Sequence, residues 1–190
     1  MLKRLFDVLV ALVALLVLWP VMLVCALAVM MTSPGGALFR QQRVGRGGHP
    51  FTILKFRSMR ADAPATGPHF TAAGDPRITR VGAFLRRTSL DELPQVLNVL
   101  CGDMSLVGPR PNVFRQRDEY TPAEWDARNS VRPGITGLAQ ATLRSAATQE
   151  QRTALDLEYA RERSDVARFF YDLWIFWLTA RIVVSGRGGN

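Results

Sequence analysis

A run of apolar and small residues from Val8 to Met31 constrains this chain more than any other feature of its sequence. As a straight α-helix the run would extend about 36 Å, which is enough to cross the hydrocarbon core of a bilayer. A secretory signal peptide has a shorter apolar region and a small-residue cleavage site, whereas here the basic segment from Arg40 to Arg46 follows. We therefore expect a membrane segment that is retained.

Positive charge flanks this apolar run on both sides, which favours a position of both ends in the cytoplasm. Lys3 and Arg4 precede the run. The basic residues that follow it are Arg40, Arg43, Arg46, Lys55, Arg57 and Arg60. Pro20, near the centre, removes a backbone hydrogen bond and can bend the helix back toward its own side. We predict a re-entrant membrane helix over residues 1–36; a kinked helix that spans the bilayer is the alternative.

The net charge indicates an anionic partner. The formal charge is +8 and the sequence pI is about 10.7, with Lys3 and Lys55 as the only lysines. Such a balance is typical of proteins that bind nucleic acid, phosphorylated metabolites or anionic lipid surfaces. The guanidinium of one arginine can bind two phosphate oxygens at once, but composition alone does not choose among these partners.

The remaining sequence predicts an α+β fold that is mostly helical, with a catalytic domain over residues 37–190. Two strand-like runs, Ala37 to Val44 and Phe51 to Phe56, predict a small β-hairpin closed by a glycine-rich turn. The stretch from Ala61 to Pro76 has the composition of a loop. Helices are predicted around Ile78 to Leu85, from Asp91 to a stop at Gly102, around Pro122 to Arg128, from Gln149 to Arg163, and from Phe169 to Val184.

The last predicted helix is rich in aromatic residues but carries Asp172 and Arg181. It is short for a membrane span and better suited to the headgroup plane. We therefore expect amphipathic helices at the membrane surface, with 166–184 as the C-terminal one; an ordinary core helix is the alternative.

Two adjacent carboxylates, Asp91 and Glu92, stand at the predicted start of a helix, shortly after Arg86 and Arg87. The positive end of the helix dipole and the guanidinium groups favour an ionised carboxylate, which is a competent nucleophile. Consecutive helical residues do not share a face, so the two carboxylates should have different roles. Acidic residues also favour the first helical turn for structural reasons, and that reading stays open.

Two arginines lie in stiff turns. Arg110 stands between two prolines, and Arg132 precedes Pro133. A guanidinium on a rigid backbone suits a diphosphate. The alternative is that both arginines only cap surface turns.

Taken together, the motifs resemble the bacterial sugar transferase family, the monotopic phosphoglycosyl transferases, over nearly the whole chain. They are Lys3–Asp7, Ser33–Gly35, Phe39–Gln41, Lys55–Met59, Asp75–Thr79, Arg86–Gln95, Gly102–Pro111 and Arg132–Gln140. The segment Arg86–Gln95 is the most specific of these motifs, and it contains the pair Asp91 and Glu92, hereafter the dyad. No further spanning helix precedes the apolar run, so the chain resembles the minimal form of the family.

The resemblance implies a two-step, ping-pong transfer at the cytoplasmic face of the bacterial inner membrane, with both termini in the cytoplasm. Asp91 attacks the β-phosphorus of a UDP-sugar and expels UMP, which leaves a covalent aspartyl phosphosugar. Polyprenol (undecaprenol) phosphate then takes up the sugar phosphate, which begins an exopolysaccharide, O-antigen, capsule or glycoprotein glycan. Mg²⁺ is the metal of the family, with Asp91 and Glu92 as its expected ligands.

A diphosphate must be neutralised before an anion approaches its phosphorus. Lys55 matches a family lysine that orients Asp91 or binds phosphate, and Glu92 is expected to hold Mg²⁺ or to help activate the lipid phosphate. The expected substrate-binding residues are Arg86, Arg110, Pro111, Arg132 and Gln140.

The chain departs from the family pattern at two places. Trp19-Pro20 replaces the Ser-Pro of many relatives, and the glycine that usually follows Gln140 is missing. The rival from another class is a non-catalytic, basic membrane protein that binds nucleic acid or anionic lipid. It is disfavoured because the chain lacks aromatic-basic RNA motifs and helix-turn-helix signals, so no nucleic acid partner is expected. The sequence leaves the sugar and a homo-oligomer open.

Overall fold

The computed structural model describes residues 1–32, 34–60, 75–143, 147–161 and 163–184, and within them the chain is mostly helical. Its helices and strands are α1 (Leu2–Thr32), β1 (Leu38–Val44), β2 (Pro50–Phe56), α2 (Arg80–Arg87), α3 (Gln95–Cys101), β3 (Ser105–Val107), α4 (Pro122–Asn129), β4 (Gly134–Thr136), α5 (Leu138–Thr142), α6 (Gln149–Ala160) and α7 (Asp165–Val184). Short 3₁₀ turns lie at Arg46–Gly48, Leu90–Glu92 and Phe114–Glu119. The predicted α+β, mostly helical class is confirmed. Most of the predicted loop from Ala61 to Pro76 lies outside the described residues.

Strands β1 and β2 form the predicted antiparallel hairpin. Lys55 pairs with Phe39 at one end, and Val44 pairs with Pro50 at the other. Gly47 in the connecting turn has a φ of 67°, which glycine adopts without steric cost. Because side chains alternate along a strand, the hairpin presents Phe56 to one side and Lys55 to the other.

Helix α1 contacts the rest of the chain near both of its ends. Ala11 is buried in the main hydrophobic core, which also contains residues of α3 and α7. Further along, Cys25 and Val29 are buried in a second cluster with Phe56 of β2 and Leu85 of α2. Two separate stretches of the same helix therefore pack against one domain.

The outer surface of α1 stays apolar and exposed. Among the described residues, α1 is the one helix long and apolar enough to cross a membrane by length and composition, and only 11% of its most apolar 18-residue stretch is buried. A core helix of a soluble protein would bury most of that surface. Exposed side chains include Leu12, Val13, Leu16, Val17, Trp19, Val21, Leu23, Val24 and Leu27.

Polar contacts fix the first turns of α1 to the domain. Lys3 forms an ion pair with the buried Asp172 of α7. Asp7 is 2% exposed and accepts hydrogen bonds from Ser105 Oγ at 2.9 Å and from the backbone N–H of Leu106 at 3.1 Å. These contacts join the start of the apolar helix to β3 and α7.

Helix α7 begins at Asp165, before the predicted start at Phe169. Ile175 points into the core and is fully buried. Phe170, Trp174 and Trp177 recur at helical spacing and are exposed, so α7 has an apolar stripe that the domain does not cover.

Local end signals account for the helices that the sequence predicted well. Helix α4 begins at a capping box formed by Thr121 and Glu124, and α6 begins at one formed by Thr148 and Gln151. Helix α6 ends at Ala160, earlier than the predicted Arg163. The parallel pair of β3 and β4 was not predicted, because strands of three residues carry no periodicity.

Replacing Asp7 tests whether its buried hydrogen bonds hold α1 to β3. Asp7→Ala should lower the free energy of unfolding by about 2 kcal/mol or more, because it leaves the Ser105 hydroxyl and the Leu106 N–H without acceptors. Asp7→Asn keeps an acceptor for Leu106 and should cost less than half as much. Thermal unfolding of the detergent-solubilised proteins measures both. Equal stability of the alanine and wild-type proteins would contradict this role.

Candidate active site

The two carboxylates lie in a 3₁₀ turn between α2 and α3 rather than in the first turn of an α-helix. Ser89, which precedes this turn, has a φ of 57°, a left-handed conformation that is uncommon outside glycine. Pro94 has no N–H to donate, and regular α-helix begins only at Gln95. The tight turn directs the two side chains differently, as their adjacency predicted.

Glu92 is held between two cations. Its Oε1 accepts hydrogen bonds from Lys55 Nζ at 2.6 Å and from an Arg110 Nη at 3.0 Å. Burial alone would raise the pKa of Glu92, but the charges of Arg110 and Lys55 outweigh it and bring the pKa to about 2. Glu92 is therefore ionised at any physiological pH and joins β2 to the turn that carries Arg110.

Asp91 has the opposite electrostatic environment. Its side chain is buried, at 8% exposure, and accepts no hydrogen bond within the described part of the chain. Burial raises its pKa, and the neighbouring charge of Glu92 raises it further, against the opposing effect of Lys55, Arg86 and Arg110. Basic neighbours lower the pKa of both carboxylates, as expected, but at Asp91 burial and the charge of Glu92 outweigh them. A more basic carboxylate is the better nucleophile once it is ionised.

Arg86 turns toward the dyad instead of outward. Arg80 and Arg87 are exposed, but Arg86 is half-buried and its Nε donates to Ser58 Oγ at 2.8 Å. Helix α2 approaches closely at Gly82, where an added Cβ would lie 2.0 Å from the Ser58 carbonyl oxygen. This contact places the guanidinium on the side of Asp91. Burial lowers the pKa of Arg86, and the charge of Asp91 partly offsets this effect.

A buried ion pair fixes the backbone that carries Arg110. Arg128 of α4 is 4% exposed, and its Nε donates to Asp156 of α6 at 2.9 Å. An Nη of the same guanidinium donates to the Arg110 carbonyl oxygen at 2.6 Å. Because both partners are buried and hydrogen-bonded, the turn presents Arg110 to Glu92 from a rigid position.

A small polar cavity of about 10 Å³ lies beside this cluster. Its lining residues are Arg43, Ile53, Lys55, Gln95, Arg110, Pro111, Gly134 and Ile135. Arg43 and Gln95 were not among the predicted site residues. The observed register of the hairpin places residue 43 opposite residue 51 and therefore on the same side as Lys55; the predicted strands without a register did not carry this signal.

The structure brings Lys55, Arg86 and Arg110 to the dyad, and Pro111 to the cavity. Arg132 donates from Nε to the Gly102 carbonyl oxygen at 2.8 Å, at the end of α3. The amide of Gln140 on α5 is buried without a hydrogen-bond partner among the described residues. Neither residue is joined to the dyad there by a hydrogen bond or ion pair, so their binding roles stay predictions.

The donor set at the dyad fits Mg²⁺ only if substrate supplies further ligands. No group of three or more histidine, cysteine, aspartate or glutamate side chains is placed to hold a metal among the described residues. Mg²⁺ is commonly bound by one or two carboxylates together with substrate phosphates and water. Asp91, whose carboxylate accepts no hydrogen bond in this part of the chain, and the second oxygen of Glu92 suit that pattern.

A family model described as "Bacterial sugar transferase" matches residues 1–186. The chain belongs to the bacterial sugar transferase family. The resemblance that the sequence motifs indicated is confirmed, and the match covers both the apolar helix and the dyad.

Named relatives of this sugar transferase differ in their sugar. The "UDP-glucose:undecaprenyl-phosphate glucose-1-phosphate transferase" of Xanthomonas campestris pv. campestris is 45% identical over 190 residues, 96% of this chain and 37% of that protein. A protein of the same name from Caulobacter vibrioides is 44% identical, over 96% of this chain and 67% of its own length. The "UDP-N-acetylgalactosamine-undecaprenyl-phosphate N-acetylgalactosaminephosphotransferase" of Aeromonas hydrophila is 40% identical, over 99% of this chain and 45% of its own length. The chain therefore spans between about a third and two thirds of these relatives.

The charge of Glu92 should control the pKa of Asp91. Glu92→Gln removes one of the two effects that raise this pKa and releases Lys55 and Arg110 to act on Asp91, so the Asp91 pKa should fall. Carbon-13 NMR of labelled aspartate carboxyls in detergent micelles measures it, with Glu150→Gln at an exposed position as the control. An unchanged or higher Asp91 pKa in Glu92→Gln would contradict this account.

Proposed function

We propose that this chain transfers a sugar-1-phosphate from a UDP-sugar to undecaprenol phosphate and releases UMP. The carrying observation is the Asp91 carboxylate, which is buried and without a hydrogen bond among the described residues, beside the cations Lys55, Arg86 and Arg110. The substrates are those that the names of the relatives state. The rival of a basic membrane protein without activity gives no reason for such a carboxylate.

In the first step an Asp91 oxygen attacks the β-phosphorus of the donor. The bond from that phosphorus to the bridging oxygen breaks, and UMP leaves with the electron pair. The charges of Arg86, Lys55 and Arg110 offset the repulsion between the carboxylate and the diphosphate. The product is an aspartyl phosphosugar.

In the second step a phosphate oxygen of the lipid attacks the phosphorus of this intermediate. The bond to the Asp91 oxygen breaks, which restores the carboxylate and gives undecaprenyl diphosphate sugar. A group with a pKa of about 2 accepts protons poorly at neutral pH, so Glu92 serves to position Lys55 and Arg110 rather than as a general base.

Asp91 and the free oxygen of Glu92 are the residues that would hold Mg²⁺ with the donor diphosphate. When bound, Mg²⁺ supplies neutralisation of charge on the phosphate oxygens. The neighbouring cations Lys55, Arg86 and Arg110 share this task.

The packing of α1 favours the re-entrant arrangement on the cytoplasmic face. A spanning helix carries its ends to opposite sides of a hydrocarbon core about 30 Å thick, so a single domain does not reach both of them. Here Asp7 and Val29 both contact the same domain while the apolar surface between them is exposed. The exposed stripe of α7 adds a second apolar surface for the headgroup plane.

UMP release tests the reaction. Detergent-purified protein should release UMP from one UDP-sugar with Mg²⁺ and undecaprenol phosphate. Asp91→Asn should lower the rate about 10³-fold or more because it removes the nucleophile, and Glu92→Gln should impair it less. Asp126→Asn, at an exposed position on α4, is the matched control.

Without lipid acceptor, the wild-type protein should release about one equivalent of UMP and gain the mass of a sugar phosphate on the peptide that contains Asp91. Full activity of Asp91→Asn would refute the nucleophile assignment. If no UDP-sugar in a panel led to UMP release, the proposed class of donor would be refuted.

Labelling of an engineered cysteine tests the topology. Gly36→Cys, in a protein whose Cys25 and Cys101 are replaced by alanine, introduces a thiol where the structure has open space. The thiol should resist a membrane-impermeant maleimide in intact cells and react after the cells are broken, because residue 36 lies in the cytoplasm. Labelling in intact cells would overturn the re-entrant arrangement.

A further inference from the structure

One face of the hairpin carries a basic residue whose contacts are incomplete. Arg43 donates from one Nη to the Pro111 carbonyl oxygen at 3.0 Å and from the other to Gln41 Oε1 at 2.7 Å. Its Nε is buried and has no hydrogen-bond partner within the described residues. A buried donor without an acceptor is unfavourable, so this N–H is available to a ligand.

Gln95 faces the same small cavity. Its side chain is 2% exposed and forms no hydrogen bond in the part of the chain that the structure describes. Buried amide groups are normally hydrogen-bonded. A cavity of about 10 Å³ holds one water-sized atom, which matches a single phosphate oxygen rather than a sugar or a base.

The charges around the cavity favour an anion. Arg43, Lys55 and Arg110 line it, whereas among the described residues Glu92 is the anion whose charge acts on Arg43. Burial and the charge of Arg110 lower the pKa of Arg43 to about 10. Arg43 therefore stays protonated at neutral pH, and its positive charge is only partly neutralised by its surroundings. The surplus of positive charge is what a phosphate would relieve.

The position of Arg43 along the hairpin indicates which phosphate it would bind. The Leu38–Phe56 end packs against Cys25 and Val29 of the membrane helix, and Arg43 lies near the opposite end. A lipid phosphate reaches the dyad from the α1 side. The nucleotide donor approaches from solvent, so its α-phosphate is expected at the end of the hairpin away from α1, where Arg43 lies.

We propose that Arg43 and Gln95 form a subsite for the leaving α-phosphate of the UDP-sugar, a proposal that rests on the proposed function. The Arg43 Nε–H and the Gln95 amide donate to one non-bridging oxygen of this phosphate. When the bond between the β-phosphorus and the bridging oxygen breaks, that oxygen keeps the electron pair and the α-phosphate gains one negative charge. The subsite stabilises this charge without a proton transfer.

Binding measurements isolate the phosphate contact. UMP and uridine are titrated calorimetrically into Asp91→Asn protein with or without a second substitution. Arg43→Gln should weaken UMP binding about 10- to 100-fold, as expected for lost charge-assisted hydrogen bonds, and leave uridine binding unchanged. Arg40→Gln removes the same charge from an exposed position on the same strand and serves as the control.

Gln95→Met provides a second variant of similar volume, because Gln95 holds no other group in place. It should weaken UMP binding about 10-fold and spare uridine. Equal losses for UMP and uridine would indicate a structural role and overturn the proposal, as would an Arg43→Gln protein that binds UMP as the Arg40→Gln control does.

Steady-state kinetics separates the two phosphates. In a ping-pong reaction kcat/KM for each substrate reports only its own half-reaction. Arg43→Gln should lower kcat/KM for the UDP-sugar and preserve kcat/KM for undecaprenol phosphate; the reverse pattern would assign the subsite to the lipid phosphate and overturn the proposal. If the wild-type protein released no UMP, the proposed function would fail, while the UMP and uridine titrations would still decide the subsite.

Discussion

One oxygen of Glu92 accepts hydrogen bonds from Lys55 and from Arg110, and at this point three distant parts of the chain meet. Lys55 belongs to the hairpin, Glu92 to the turn before α3, and Arg110 to the proline-rich turn after β3. Arg128 and Asp156 in turn hold the backbone of Arg110 from α4 and α6. The arrangement of cations around the dyad therefore depends on the carboxylate of Glu92.

Asp91 and Glu92 are adjacent in the chain but differ in electrostatics. Two ion pairs lower the pKa of Glu92, whereas burial and the charge of Glu92 raise the pKa of Asp91. Pairs of acidic groups whose environments separate their pKa values commonly have different chemical tasks. Here Glu92 binds the cations, and Asp91, without a hydrogen bond among the described residues, is the carboxylate proposed to attack phosphorus.

The hairpin connects the membrane segment to the chemistry. Phe56 on one face packs against Cys25 and Val29 of α1, while Lys55 on the other face holds Glu92. The contacts of Asp7 with β3 fix the start of α1 to the same domain. The dyad is thus set at a defined height relative to the apolar surface, as the proposed reaction between a soluble nucleotide sugar and a lipid phosphate requires.

The sequence by itself determined the features that depend on near neighbours along the chain. The apolar helix, the hairpin, the stop of α3 at Gly102 and the start of α4 follow from composition, alternation and capping, and the motif around Asp91 indicated the family. Only the tertiary structure decided which arginines reach the dyad. Arg86 turns inward because Gly82 lets α2 approach Ser58, and Arg132 turns to the end of α3. These outcomes, like the pKa values and the place of Arg43, depend on contacts between residues far apart in sequence, which local patterns do not encode.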